Sequence, residues 1–167
     1  MSIELLKRAL LFVVFILAQA LVLGRVQLFH CETPLLYVYF VTMFPRNYPK
    51  WGILTWSFFM GLLIDIFSNT PGLAAASLTA IAAIQPYFFA LFVPRDSAES
   101  LEPSLVNLGP TKYSYYIVVL VTVYCLLFFT LEMFNFNNLT EWVMSVIGSS
   151  LITLALIFTF EIAKSRA

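Results

Sequence analysis

The sequence predicts an all-α integral membrane protein, a single membrane domain over residues 1–167 with six transmembrane helices, the second short or broken, and both termini cytoplasmic. Three observations predict it. Of the 167 residues, 61% are hydrophobic and only 11% charged, with mean hydropathy +0.91, which leaves too little polar side chain to cover a soluble domain. Apolar runs recur at about the 20-residue length that a hydrocarbon core of about 30 Å demands of a helix. The nine basic residues fall at the ends of those runs or in the connections between them and can be sorted by side of the membrane. The formal net charge is zero and no basic block exists, so nucleic acid is not expected as a partner.

The first run, Leu5 to Gly24, begins beside Lys7 and Arg8 and carries Ala18-Gln19-Ala20 near its end. A basic start, a short apolar stretch and a small-x-small tripeptide imitate a secretory signal, but the run continues through Leu21, Val22 and Leu23. Its full length fits a retained anchor.

The second run, Leu35 to Phe44, covers about 15 Å at 1.5 Å per residue, half of the hydrocarbon core. It is expected to be broken, tilted or partly re-entrant, with Tyr37 and Tyr39 suited to an interface. If it crosses, Lys7, Arg8, Arg46, Lys50, Arg95, Lys112, Lys164 and Arg166 all face the cytoplasm and Arg25 alone lies outside. If it does not cross, Lys7 and Arg8 are stranded outside beside the first span, where the positive-inside rule weighs charges most heavily. Six spans follow from that weighting.

The third run, Trp51 to Phe67, follows the proline-punctuated turn from Pro45 to Pro49 and contains one carboxylate, Asp65, toward its outer end. Ser68, Asn69 and Thr70 then allow only a tight antiparallel hairpin. Thr70 is expected as the N-cap of the next helix and Pro71 in its first turn. A carboxylate at membrane depth costs a few kcal/mol on insertion scales and needs a partner. On one reading Asp65 bonds the backbone or hydroxyls of the turn from Ser68 to Gly72 and locks the hairpin, with Gly72 leaving room for the approach. On the other it contacts a partner helix or a bound solute. The first is favoured because an acid close to an interface can be satisfied locally.

The fourth run, Gly72 to Val93, is rich in small residues, among them Ala76 and Ala80, which let helix backbones approach closely. Gln85 and Pro86 predict a kink near its inner end. Pro94 to Lys112 is a mixed-charge cytoplasmic loop with no phosphate-cradling pattern, and it reads as a solvated connector. The fifth run, Tyr113 to Phe134, is aromatic and uncharged until Glu132. The sixth, Trp142 to Ala163, carries Ser145, Ser149 and Thr153 at four-residue spacing, which reads as a packing face. Asn138-Leu139-Thr140 matches a glycosylation sequon that matters only in a eukaryote.

Little in this chain can do chemistry. The sole histidine, His30, lies in a short outer loop, Cys31 and Cys125 form no pair or metal spacing, and the carboxylates in or near the runs, Asp65, Glu132 and Glu161, are scattered. No enzyme, metal site or cofactor is expected, and a proton relay would need more members.

Gly61-Leu-Leu-Ile-Asp65, the Pro71-Gly72 restart, the alanine-rich helix after it, the basic first helix and the short second segment together resemble the rod shape-determining MreD family of bacteria. The likeness spans the chain, and Gly61, Asp65, Pro71 and Gly72 carry its specific part. It implies a non-enzymatic, multi-pass subunit of the bacterial inner (cytoplasmic) membrane. Such a subunit belongs to the elongasome that maintains cell shape, binding MreC and acting with the MreB filament and the enzymes of peptidoglycan synthesis. The mechanism expected is lateral packing, with the small faces at Ala76 and Ala80 and at Ser145 and Ser149 offered to a partner helix. The size and span count are also similar to the substrate-binding S component of vitamin transporters, whose fold the MreD family is expected to share. Ala20 and Gly24 would then be the small pair meeting a coupling subunit, with Glu32, Asp65, Asn69 and Glu132 as candidate pocket groups.

Overall fold

The computed structural model describes residues 2–22, 34–134 and 138–167. The expectations for Gly24, Arg25, His30, Cys31 and Glu32 fall outside those residues. Among the described residues all regular structure is helical. Helix α1 (Ser2–Leu17) runs into a π-helical turn at Ala18–Val22, and α2 is the five-residue Val38–Thr42. Then follow α3 (Lys50–Ser68), α4 (Leu73–Phe92), the single-turn α5 (Leu105–Leu108), α6 (Pro110–Glu132) and α7 (Leu139–Arg166). Helices α3, α4, α6 and α7 are each long and apolar enough to cross a membrane.

Local chemistry sets the boundaries. Helix α3 starts after Pro49, whose extended backbone (ψ 130°) cannot belong to the helix, and stops at Asn69, which takes the left-handed conformation with φ 57°. Helix α6 opens with Pro110 at its first position, where a missing N–H breaks no bond. Helix α4 continues as one helix through Pro86. Helix α7 begins three residues ahead of Trp142, with Asn138 as its N-cap residue.

The second segment sits at the centre of the bundle. Every residue of α2 is buried, as are Leu35, Tyr37 and Phe44 beside it. Rings from four other elements meet it edge-on. Phe12 and Phe15 of α1 lie 5.8 and 6.4 Å from Phe40, Trp56 of α3 lies 6.4 Å from Phe40, Tyr124 of α6 lies 5.8 Å from Tyr37, and Phe160 of α7 lies 5.4 Å from Tyr39.

This segment connects the two ends of the bundle. At one end Gln19 donates to the carbonyl of Pro34 (2.8 Å), and at the other the Arg8 guanidinium lies 5.2 Å from the ring of Phe44. Arg8 and Gln19 are about 17 Å apart along a helix. The eleven residues from Pro34 to Phe44, of which only Val38–Thr42 are helical, run alongside that length.

At the Arg8 end the loop from Pro94 to Lys112 folds back onto the bundle, which corrects its reading as a solvated connector. Glu102 pairs with Arg8 at 3.6 Å, the amide of Arg46 donates to Leu101 O (3.3 Å), Pro103 is buried, and the Leu105 amide donates to Glu161 of α7 (3.2 Å). A loop whose backbone returns to the membrane end needs such partners for its free N–H groups.

Candidate functional site at the joint between α3 and α4

Asp65 lies in the last turn of α3 and is 6% exposed. Its side-chain Oδ1 accepts from the Thr70 hydroxyl and the Ala74 amide, and Oδ2 accepts from the Ala75 amide, each at 2.9 Å. Its main-chain carbonyl accepts from the amides of Asn69 and Thr70. One residue thus closes the carboxyl end of one helix and opens the amino end of the next.

The expected cap is placed differently. Helix α4 begins at Leu73, so its N-cap residue is Gly72, and Thr70 and Pro71 belong to the turn before it. Glycine has no side chain to receive the amides of the second and third helical residues, Ala74 and Ala75. The carboxylate from across the hairpin takes them instead, where negative charge meets the favourable end of the helix dipole. Gly72 is required for its backbone, at φ 82°, and nothing lies within 4 Å of where its Cβ would be.

The close approach expected at Gly72 occurs one turn before Asp65, at Gly61. A Cβ there would lie 2.5 Å from Ala75 Cα, 2.6 Å from Ala75 N and 2.7 Å from Ala74 O. The first turn of α4 rests directly on the backbone of α3, and that contact brings the two amides within reach of Asp65. Ser57, one turn further back and fully buried, continues the same small-residue stripe.

Beside the joint, α3 and α4 form an open apolar groove of about 650 Å³, with Phe58, Leu62 and Ile66 on one wall and Pro71, Gly72 and Ala76 on the other. Ala76 is exposed there and Ala80 is half-buried. Ser145 and Ser149 are instead 1% and 0% exposed inside the bundle, so they pack helices of this chain and cannot meet a partner.

A second polar constellation, which the sequence reading missed, surrounds the irregular backbone of the second segment. The Leu35 amide donates to the Thr153 hydroxyl (3.0 Å), Gln85 donates to Phe44 O (3.3 Å) and to the Tyr116 hydroxyl (3.0 Å), and the Tyr116 hydroxyl donates to Thr42 O (3.4 Å). The hydroxyls of Tyr37 and Tyr124 bond each other, and that of Tyr39 bonds the buried Glu161. Irregular backbone buried away from water needs protein partners for its N–H and C=O groups, and these side chains supply them. A signal was present in the sequence. The four-residue stripe through Ser145, Ser149 and Thr153 runs on through Ile157 to Glu161, and all five are buried.

Among the described residues no group of three or more His, Cys, Asp or Glu side chains could hold a metal ion. Cys125 is buried as a free thiol. No family model matches the sequence, and neither the curated proteins nor the solved structures contain a match to it.

Proposed function

We propose that this protein is a non-enzymatic scaffold subunit of the bacterial inner membrane, a member of the MreD family that holds MreC and organises peptidoglycan synthesis in the elongasome. On this reading the chain crosses six times, with the second crossing made by the short central segment and both termini cytoplasmic. The clustering of Arg8, Arg46 and the loop from Pro94 to Lys112 at one end supports that topology.

One observation carries the proposal. The residues that bear the resemblance, Gly61, Asp65, Pro71 and Gly72, build a single joint, and the apolar groove lies directly on it. The polar atoms of Asp65 are engaged within the joint, so they give rigidity and leave an apolar face for the single helix of MreC. MreB and the wall-synthesis enzymes enter through that same assembly.

The test is co-purification of MreC with variants that insert normally in a rod-shaped bacterium. Ala76→Trp, which fills the groove from an exposed position, is expected to abolish MreC recovery and round the cells. Undiminished recovery would remove the groove from the interface and with it the scaffold reading. The alternative, a vitamin-binding transport subunit, loses support from Ala20, which lines a cavity inside the bundle instead of a surface open to a coupling subunit.

A further inference from the structure

We propose that this protein has a small-molecule site at the end of the bundle opposite Arg8, and that it takes an amphiphile with an ammonium head on an apolar body. The site is a cavity of about 460 Å³ walled by the end of α1, the start of the central segment, the α3–α4 turn and the end of α6. Its volume lies within the range of pockets that hold small ligands, and its walls combine apolar side chains, Leu35, Ile64 and Phe128 among them, with polar ones.

Two further observations separate this cavity from a packing void. The wall from α1 is its π-helical turn, which carries Gln19 and Ala20 into the lining, and single π-turns are found disproportionately where helices serve a site. Gln19 is 5% exposed, and its Nε2 is committed to Pro34 O while its Oε1 has no hydrogen-bond partner among the described residues. A buried acceptor left without a donor costs free energy of a size that a ligand N–H would recover.

The polar groups of the lining fix the ligand's chemistry. Thr70 already donates to Asp65, and Tyr37 is bonded to Tyr124. What remains is Gln19 Oε1, the Ser68 hydroxyl and, at the rim, the exposed carboxyl of Glu132. Among the described residues the lining contains an acidic group and no basic one, which favours a cation and disfavours an anion of the same shape. An ammonium group would donate to Glu132 and Gln19 while its chain occupies the apolar walls. It could come from an aminophospholipid of the bilayer or from a free amine in solution. Neither source depends on the scaffold reading.

The experiment uses the full chain, purified in detergent, and measures binding of n-decylamine against decanoate, which has the same chain length and the opposite charge. Decylamine is expected to bind saturably and raise the unfolding temperature, and decanoate to do neither. Glu132→Gln is expected to weaken decylamine binding by about tenfold, and Ala20→Leu, which fills the cavity, to abolish it while the ligand-free unfolding temperature stays within a degree or two. Native mass spectrometry from bilayers mixing phosphatidylethanolamine with phosphatidylglycerol distinguishes the sources. Retained phosphatidylethanolamine that decylamine displaces assigns the lipid, and decylamine binding with no retained lipid assigns a free amine. Equal responses to decylamine and decanoate, or decylamine binding unchanged in both variants, would overturn the proposal.

Discussion

The hairpin between α3 and α4 and the central segment from Pro34 to Phe44 face the same difficulty, helix ends whose backbone groups are buried. They meet it in opposite ways. The hairpin is satisfied from within, since Asp65 reaches no further than Ala75, ten residues on. The central segment depends on distant donors and acceptors, with Leu35 and Thr153 separated by 118 positions and Tyr39 and Glu161 by 122. A local solution can form as soon as two neighbouring helices meet. A distributed one exists only in the finished bundle.

The comparison breaks most directly at Gly61. Gly61→Ala puts a methyl group into the backbone of Ala75 and is expected to cost about 3 kcal/mol, since neither helix can yield without parting Asp65 from its amides. Unfolding in detergent with increasing SDS measures it, and a near-neutral result would mean that the joint is looser than its geometry. Asp65→Ala follows at about 2 to 3 kcal/mol, because two buried amides lose their acceptor. Asp65→Asn keeps one acceptor oxygen and should cost about 1 kcal/mol, the difference reporting the charge at the dipole.

In the central segment, Thr153→Val keeps the shape and removes the partner of the Leu35 amide, with an expected loss of about 1 to 2 kcal/mol. Combined with Asp65→Asn it should be additive, because the two clusters share no partner. Coupling above about 0.5 kcal/mol would show that the regions are not independent. The smallest effect is expected at Ala76, where Ala76→Leu should change stability by less than about 0.5 kcal/mol. That leaves co-purification as a clean measure of its role at the groove.

The same contrast explains how much of the molecule could be read in advance. The four long helices follow from hydropathy and length alone. Asp65 could be singled out because one charge in an apolar run is conspicuous and its partners lie within ten residues. Close approach is expected at Gly72 and occurs at Gly61, because it depends on which turn of α3 faces α4, and no spacing within one helix fixes that. Thr153, Gln85 and Tyr116 could not be matched to the second segment, since their partners are main-chain atoms and any main-chain atom looks alike in a sequence. Glu161 is legible only as the far end of the Ser145 stripe, and nothing in the sequence links it to Tyr39.

The bond between Leu35 and Thr153 also sets a schedule for biogenesis. At ribosomal speeds of about 5 to 20 residues per second, the hydroxyl emerges roughly 6 to 24 s after the amide it will receive. Until then the newborn central segment can meet Gln19, Gln85, Tyr116 and Tyr124 but not its partners in α7. A transcript truncated ahead of the last helix would therefore leave the Leu35 amide and the Tyr39 hydroxyl without their partners even though every residue of the central segment had been made.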